Sequence, residues 1–148
     1  MKKTSEWSLE IKGGLKNTYE FIGNPENHYR WSPYKIDVKQ IDKSLEEYKW
    51  ELDIDLPMVG KVTGYCETII QIPYTRYKFK GVMDGDDVEA IIIEDYEFKE
   101  TSPGTILVVR ISTLELPHLN GFIIEKVVGS QFDKLSQEVK NNLQKLFM

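Results

Sequence analysis

The last thirty residues of the chain, from Leu119 to Met148, constrain its fold more than any other stretch. Apolar residues recur there at three- and four-residue spacing, while residues such as Lys134 and Glu138 occupy the remaining positions. This pattern predicts one amphipathic helix of about 26 residues, roughly 39 Å long. Only a broad sheet can cover the apolar side of so long a helix, so we expect the rest of the chain to supply one.

The sequence before this helix is dominated by alternating apolar and polar residues. Trp7, Leu9 and Ile11 predict a first strand, and two short helices are predicted at 16–22 and 25–30, where Pro25 suits a first helical turn. Six further strands follow, at 36–38, 48–54, 61–71, 77–80, 88–98 and 105–114. Short turns between successive strands predict antiparallel neighbours. The sequence therefore predicts an α+β fold in which a curved, seven-stranded antiparallel sheet wraps around the C-terminal helix.

Length and composition exclude several classes of protein. A chain of 148 residues is the size of one domain, 1–148, and its net charge of −5 argues against a nucleic-acid partner. No apolar run is long enough to form an integral membrane segment, and no hydrophobic signal follows Lys2 and Lys3. Because Cys66 is the only cysteine, it has no disulfide partner within the chain and cannot build a thiolate zinc site. We expect a cytoplasmic protein without a cofactor.

The usual catalytic and metal-binding motifs are missing from the sequence. Its two histidines, His28 and His118, are not spaced as metal ligands, and both are predicted at helix boundaries, where structural or surface roles are usual. No glycine-rich phosphate loop or nucleophile elbow occurs. The acidic run at 84–87 lacks the later ligands of a calcium loop, so it predicts a hairpin turn.

One segment resembles a known superfamily. The run Thr18-Tyr19-Glu20-Phe21-Ile22-Gly23-Asn24-Pro25-Glu26, followed by Trp31-Ser32-Pro33, is similar to the START-like superfamily, also called the polyketide cyclase/dehydrase and lipid-transport (SRPBCC) superfamily. The stretch 59–64 and the C-terminal helix strengthen the resemblance, and the middle of the chain is similar to a small accessory protein of carbon monoxide dehydrogenase. The resemblance implies a helix-grip fold with a hydrophobic cavity between sheet and helix. Members of the superfamily bind lipids, hormones, quinones or polyketides, and some are enzymes.

Two strands leave the orientation of polar residues open. Tyr65 and Glu67 share one face of their strand; pointing inward they would supply acid/base groups, whereas Cys66 pointing inward would leave volume for a ligand. Glu67 facing solvent is the default. Arg110 interrupts an apolar strand, and alternation favours an outward position with Leu107, Val109 and Ile111 in the core. Turned inward, Arg110 would need a ligand carboxylate or Glu94 as its partner.

Aromatic residues and the wide apolar start of the long helix locate the expected ligand site. We predict that the cavity is lined by Trp50, Tyr65, Tyr77, Phe79, Arg110, Phe122, Val127 and His28.

Three functions are compatible with these predictions. The first is binding or transport of a small hydrophobic or amphipathic ligand. The second is an enzyme of cyclase or dehydratase type, with Tyr65, Glu67, His28 or Arg110 as acid/base groups. The third is an accessory protein of an enzyme complex, like the carbon monoxide dehydrogenase relative, whose surface matters more than its cavity. Neither the ligand nor the oligomeric state follows from the residues.

Overall fold

One seven-stranded antiparallel sheet and one long helix form most of the protein, as the sequence predicts. The computed structural model describes residues 1–42, 49–56, 60–84, 89–118 and 122–147. Its strands are β1 Lys2–Lys12, β2 Lys35–Asp42, β3 Lys49–Leu56, β4 Gly60–Ile72, β5 Arg76–Asp84, β6 Glu89–Ser102 and β7 Thr105–Glu115. Residues 85–87 of the predicted acidic turn lie outside the described residues.

Three helical segments accompany the sheet. They are α1, Leu15–Ile22; a 3₁₀ helix, Pro25–Arg30; and the long helix α2, Phe122–Leu146. The 3₁₀ helix begins where the side chain of Asn24 accepts a hydrogen bond from the Glu26 backbone N–H. The two short helices therefore form where proline and asparagine place them in the sequence, and α2 is about 37 Å long.

The order of the strands places the short helices across the concave face of the sheet. The order is β1-β7-β6-β5-β4-β3-β2, so β1 and β2 are consecutive in the chain but form opposite edges. The segment between them must cross the width of the sheet: α1 packs near β6 and β7, and the 3₁₀ helix packs near β2. His28, on the 3₁₀ helix, is thereby carried into the interior.

Helix α2 lies along the same concave side and is tied down at two points. The Lys3 ammonium on β1 lies 3.2 Å from an Asp133 carboxylate oxygen, and the Asn142 side-chain amide donates to the Trp31 carbonyl at 3.1 Å. Within the described residues, α2 combines neither the length nor the apolar character needed to cross a membrane. The helix therefore covers the sheet as a lid held at both halves.

The orientation of β7 differs from the one that alternation favours. Ile106, Val108 and Arg110 are buried and face the concave side, whereas Leu107 and Val109 are only half-buried on the convex side. The outward prediction for Arg110 is wrong. The physical reason is that β7 lies between β1 and β6 and carries apolar residues on both faces, so its alternation fits either orientation.

Strand β4 turns its small residues inward. Cys66 and Thr68 are buried, while Tyr65 and Glu67 are exposed on the convex face. Gly64 also faces inward, but a Cβ there would lie 2.6 Å from the Met83 sulfur, so neighbouring side chains fill that space. An acid and a phenol from β4 therefore do not enter the interior.

Candidate functional site

A cavity of about 180 Å³ lies between the middle of α2 and the concave face of the sheet. Its walls are mostly apolar and include Leu52, Ile54, Phe79, Met83, Ile92, Phe132, Leu135 and Val139. Ligand pockets for drug-sized molecules measure roughly 300–1,000 Å³. The volume therefore suits a molecule smaller than a sterol or a long-chain fatty acid.

One wall of the cavity carries a buried ion pair. A terminal nitrogen of Arg110, Nη2, donates to Oε1 of Glu94 at 2.6 Å, and the two residues are 6% and 9% exposed. The other Arg110 nitrogens donate to the Tyr96 hydroxyl at 3.1 Å and the Ser136 hydroxyl at 3.2 Å, and Ser112 donates to Glu94 at 3.0 Å. Strands β6 and β7 are adjacent, so their inward side chains meet, and α2 supplies the serine.

The environment of this pair changes the pKa values of its members. Burial raises the pKa of Glu94, although Arg110 and Ser112 oppose that change. Burial alone would lower the pKa of Arg110, but Glu94 and Tyr96 raise it overall. The arrangement is an ion pair whose two charges cancel in a water-poor site. A buried pair of this kind is weak evidence for stability, because desolvating two charges offsets their attraction.

His28 contributes a second polar group to the cavity wall. Burial lowers its pKa from 6.5 to about 3, a hydrogen bond to the Ile22 backbone partly opposes this, and Arg110 lowers it further. The ring is therefore neutral at physiological pH. Its Nε2 atom is buried without a hydrogen-bond partner among the described residues. We assign the ring proton to Nδ1, which donates to Ile22, and Nε2 is left as an acceptor.

Aromatic rings support His28 from behind. Its imidazole stacks on Phe79 with ring centres 5.1 Å apart, and Trp50 meets Phe79 edge-on at 5.2 Å. Tyr77 adjoins Phe79 at 5.7 Å. These contacts fix the imidazole plane, since a packed ring has few alternative rotamers. The cluster gives the cavity a rigid aromatic side.

The structure brings three of the eight predicted cavity residues to the wall: His28, Phe79 and Arg110. Trp50 and Tyr77 are buried behind Phe79 and do not line the cavity. The side chain of Phe122 lies outside the described residues. That any of these side chains contacts a ligand stays a prediction.

Tyr65 and Val127 are wrong as cavity residues, because each is 56% exposed. Tyr65 points to the convex face of β4, as described above. Val127 precedes Ser136 by nine residues, and at about 100° per residue this places it on the opposite side of α2. The cavity therefore lies under the middle of the helix, not under its wide apolar start.

The residues that sequence reasoning missed share the strand phase of Arg110 or lie on the inward side of α2. They are Cys66, Tyr96, Ser112 and Ser136. Burial raises the pKa of the Cys66 thiol to about 12, with a further contribution from Glu94, so it remains protonated. A usable signal existed in β6: Glu94 has the same alternation phase as Tyr96 and Phe98, which makes it an inward acid.

Comparison with solved structures identifies the fold. A conserved protein from Geobacillus kaustophilus matches over 99% of this chain and 95% of its own, at a TM-score of 0.73 and 15% identity. A START superfamily protein from Mycobacterium smegmatis matches over 97% and 98%, at 0.63 and 11%. The di-domain ARO/CYC StfQ from the steffimycin biosynthetic pathway matches over 99% of this chain and 51% of its own, at 0.72 and 13%.

The protein has a START-like helix-grip fold. The predicted α+β class, the seven-stranded antiparallel sheet and the C-terminal helix are thus confirmed. No protein-family model and no curated protein sequence matches the chain. At these low identities the likeness concerns the fold, and function must be argued from the cavity itself.

Proposed function

We propose that the protein binds a small, mostly apolar molecule with one polar end in the cavity beneath α2. The observation that carries the proposal is the cavity itself: about 180 Å³ of largely apolar space with an ion pair and a histidine on its wall. Apolar burial supplies most of the affinity, at about 25 cal/mol per Å² before ordering costs. The polar groups orient the molecule.

The buried ion pair supports a binding role more than a structural one. Arg110 has five N–H groups, of which three reach acceptors on Tyr96, Ser136 and Glu94 among the described residues. The remaining N–H groups belong to the terminal nitrogens of a residue that lines the cavity. A ligand oxygen in the cavity would satisfy them, which gives the arginine a use beyond the fold.

The two alternatives fit the interior less well. An acid/base enzyme of cyclase or dehydratase type retains His28 and Arg110 on the wall, but Tyr65 and Glu67 point away. With a pKa of about 3, His28 is a weak general base near neutral pH. An accessory protein would need no cavity, and an interior filled by side chains would have favoured it.

Filling the cavity tests the proposal. Leu135→Trp places an indole at the half-buried helix wall of the cavity, and Val127→Trp places the same group on the exposed side of the same helix. We expect wild type and Val127→Trp to bind 2-naphthol or 2-methoxynaphthalene in calorimetric titration. Leu135→Trp should bind at least about tenfold more weakly, because the indole occupies the ligand space.

The control also states what would overturn the proposal. If neither neutral naphthalene derivative binds wild type, or if Leu135→Trp binds them as tightly as Val127→Trp does, the cavity is not a ligand site. Circular dichroism of each variant establishes that its fold is intact before the titration.

A further inference from the structure

The charges on the cavity wall sum to zero. Among the described residues that line it, Arg110 and Glu94 are the only ones that carry a charge at neutral pH, and they lie 2.6 Å apart. An anionic ligand would bring a charge that no further cation compensates, and a cationic ligand would face Arg110. Burying an uncompensated charge is costly. The balance therefore favours an uncharged ligand.

Two buried acceptors face this cavity without a directed hydrogen bond. Nε2 of His28 has no hydrogen-bond partner among the described residues. Oε2 of Glu94 is 2.6 Å from Nη2 of Arg110 but receives no well-aligned hydrogen bond there. Both residues are more than nine-tenths buried, His28 at 7% exposure and Glu94 at 9%. Buried polar atoms are nearly always satisfied in native proteins, so these two acceptors require a donor.

We propose that the ligand is an uncharged alcohol or phenol whose hydroxyl group donates a hydrogen bond to His28 or Glu94. The inference rests on the proposed binding function and names the chemical class of its ligand. A hydroxyl group suits the wall because it donates to a bare acceptor and accepts from a free N–H of Arg110. A carboxylate offers no proton to either acceptor and repels Glu94.

The neutrality of His28 makes the inference specific. A protonated imidazole would donate from both nitrogens and would attract anions, but burial lowers the pKa of His28 to about 3. The ring proton already serves the Ile22 backbone. Phe79, stacked at 5.1 Å, holds the ring so that its free nitrogen keeps one direction. The wall is therefore built to receive a proton donor.

Three probes on one aromatic skeleton test the inference with the unmodified protein. 2-Naphthol has a hydroxyl donor, 2-methoxynaphthalene keeps the oxygen but lacks the donor, and 2-naphthoate is an anion at about pH 7. We expect calorimetric titration to give 2-naphthol roughly tenfold tighter binding than 2-methoxynaphthalene, from the added hydrogen bond. 2-Naphthoate should bind at least about a hundredfold more weakly than 2-naphthol.

Variants of the two histidines locate the acceptor. His28→Phe keeps an aromatic ring and removes the acceptor, so it should abolish the preference for 2-naphthol over 2-methoxynaphthalene while leaving the latter's affinity within about twofold. His28→Gln restores an acceptor and should restore part of the preference. His118→Phe is the matched control, because His118 is exposed and pairs with Glu89 at 3.1 Å.

The outcomes separate this inference from the proposed function. Equal affinities for 2-naphthol and 2-methoxynaphthalene, or tightest binding of 2-naphthoate, would overturn the ligand class while the binding function stands. If the preference survives in His28→Phe, Glu94 is the acceptor and the hydroxyl class holds. Absence of binding by every probe removes the binding function and the inference with it.

Discussion

Two consecutive acids on β6 form two arginine pairs on opposite sides of one sheet. Glu94 points into the cavity and pairs with Arg110 at 2.6 Å, with both residues buried. Asp95 points to the convex face, where its two oxygens accept from Arg76 at 3.0 and 2.7 Å, and the Arg76 side chain is 33% exposed. The outer pair is bidentate, the stronger geometry for an arginine and a carboxylate.

The difference shows that surroundings outweigh geometry in these two pairs. Water screens the outer pair, and exposed pairs contribute about 0–1 kcal/mol even when their geometry is good. The inner pair has lost its water, so each charge depends on the other, and removing one strands the second. Adjacent residues of the same strand therefore serve a surface contact and a binding wall.

The largest effect should follow removal of the inner acid. Glu94→Gln keeps the side-chain shape but leaves the Arg110 charge buried without a counter-charge. We expect it to lower the free energy of unfolding by about 3–5 kcal/mol in urea denaturation. A loss below about 1 kcal/mol would mean that water reaches the inner pair as freely as the outer one.

Acid should also weaken the inner side selectively. Because the pKa of His28 is lowered from 6.5 to about 3 in the fold, the unfolded chain binds a proton below pH 6.5 that the folded chain does not. Stability is therefore lost as pH falls from 6.5 towards about 3. Relative to His28→Gln, wild type should lose about 3 kcal/mol between about pH 7 and about pH 4.5.

The comparison with His28→Gln isolates the histidine from Glu94. The raised pKa of Glu94 acts in the opposite direction, since the folded chain then binds this proton more readily than the unfolded chain. That contribution is common to both proteins and cancels. Parallel pH profiles for the two proteins would show that His28 is not held neutral by burial.

Replacing both inner charges tests whether the pair exists for binding. The double variant Glu94→Leu with Arg110→Met removes two buried charges and supplies apolar side chains in their place. It should recover at least about 2 kcal/mol of the stability that Glu94→Gln loses, because no charge is left unpaired. Urea denaturation measures the recovery, and a double variant no more stable than the single one would assign the pair to the fold.

The smallest effect belongs to the outer pair. Asp95→Asn removes the charge opposite Arg76 on the convex face. We expect a loss below about 1 kcal/mol that shrinks further as salt is added, measured by the same denaturation. A loss equal to that of Glu94→Gln would erase the distinction between the two sides of the sheet.

The fold was more predictable from sequence than the site was. The 3.6-residue period of the C-terminal segment and the alternation around Trp50, Leu52 and Ile54 predicted the helix and the sheet correctly, since each pattern has one dominant face. On β7 both phases are apolar, so alternation alone misplaced Arg110. Its inward partner, Glu94, was nevertheless among the candidates.

The remaining errors have a three-dimensional origin. His28 appeared to be a surface histidine because its burial depends on the passage of the chain from β1 to β2, at opposite edges of the sheet. Val127 belongs to an apolar run whose members diverge around the helix. Local sequence contains neither the crossing nor the helix rotation, which tertiary packing sets.

The single cysteine gives this protein an internal clock. Cys66 is 5% exposed, lines the space under α2, and holds its proton because burial raises the pKa of the thiol to about 12. Alkylating reagents attack the thiolate, so the closed protein resists them. The rate of Cys66 alkylation in the native state therefore times how often the lid lifts, without any added label.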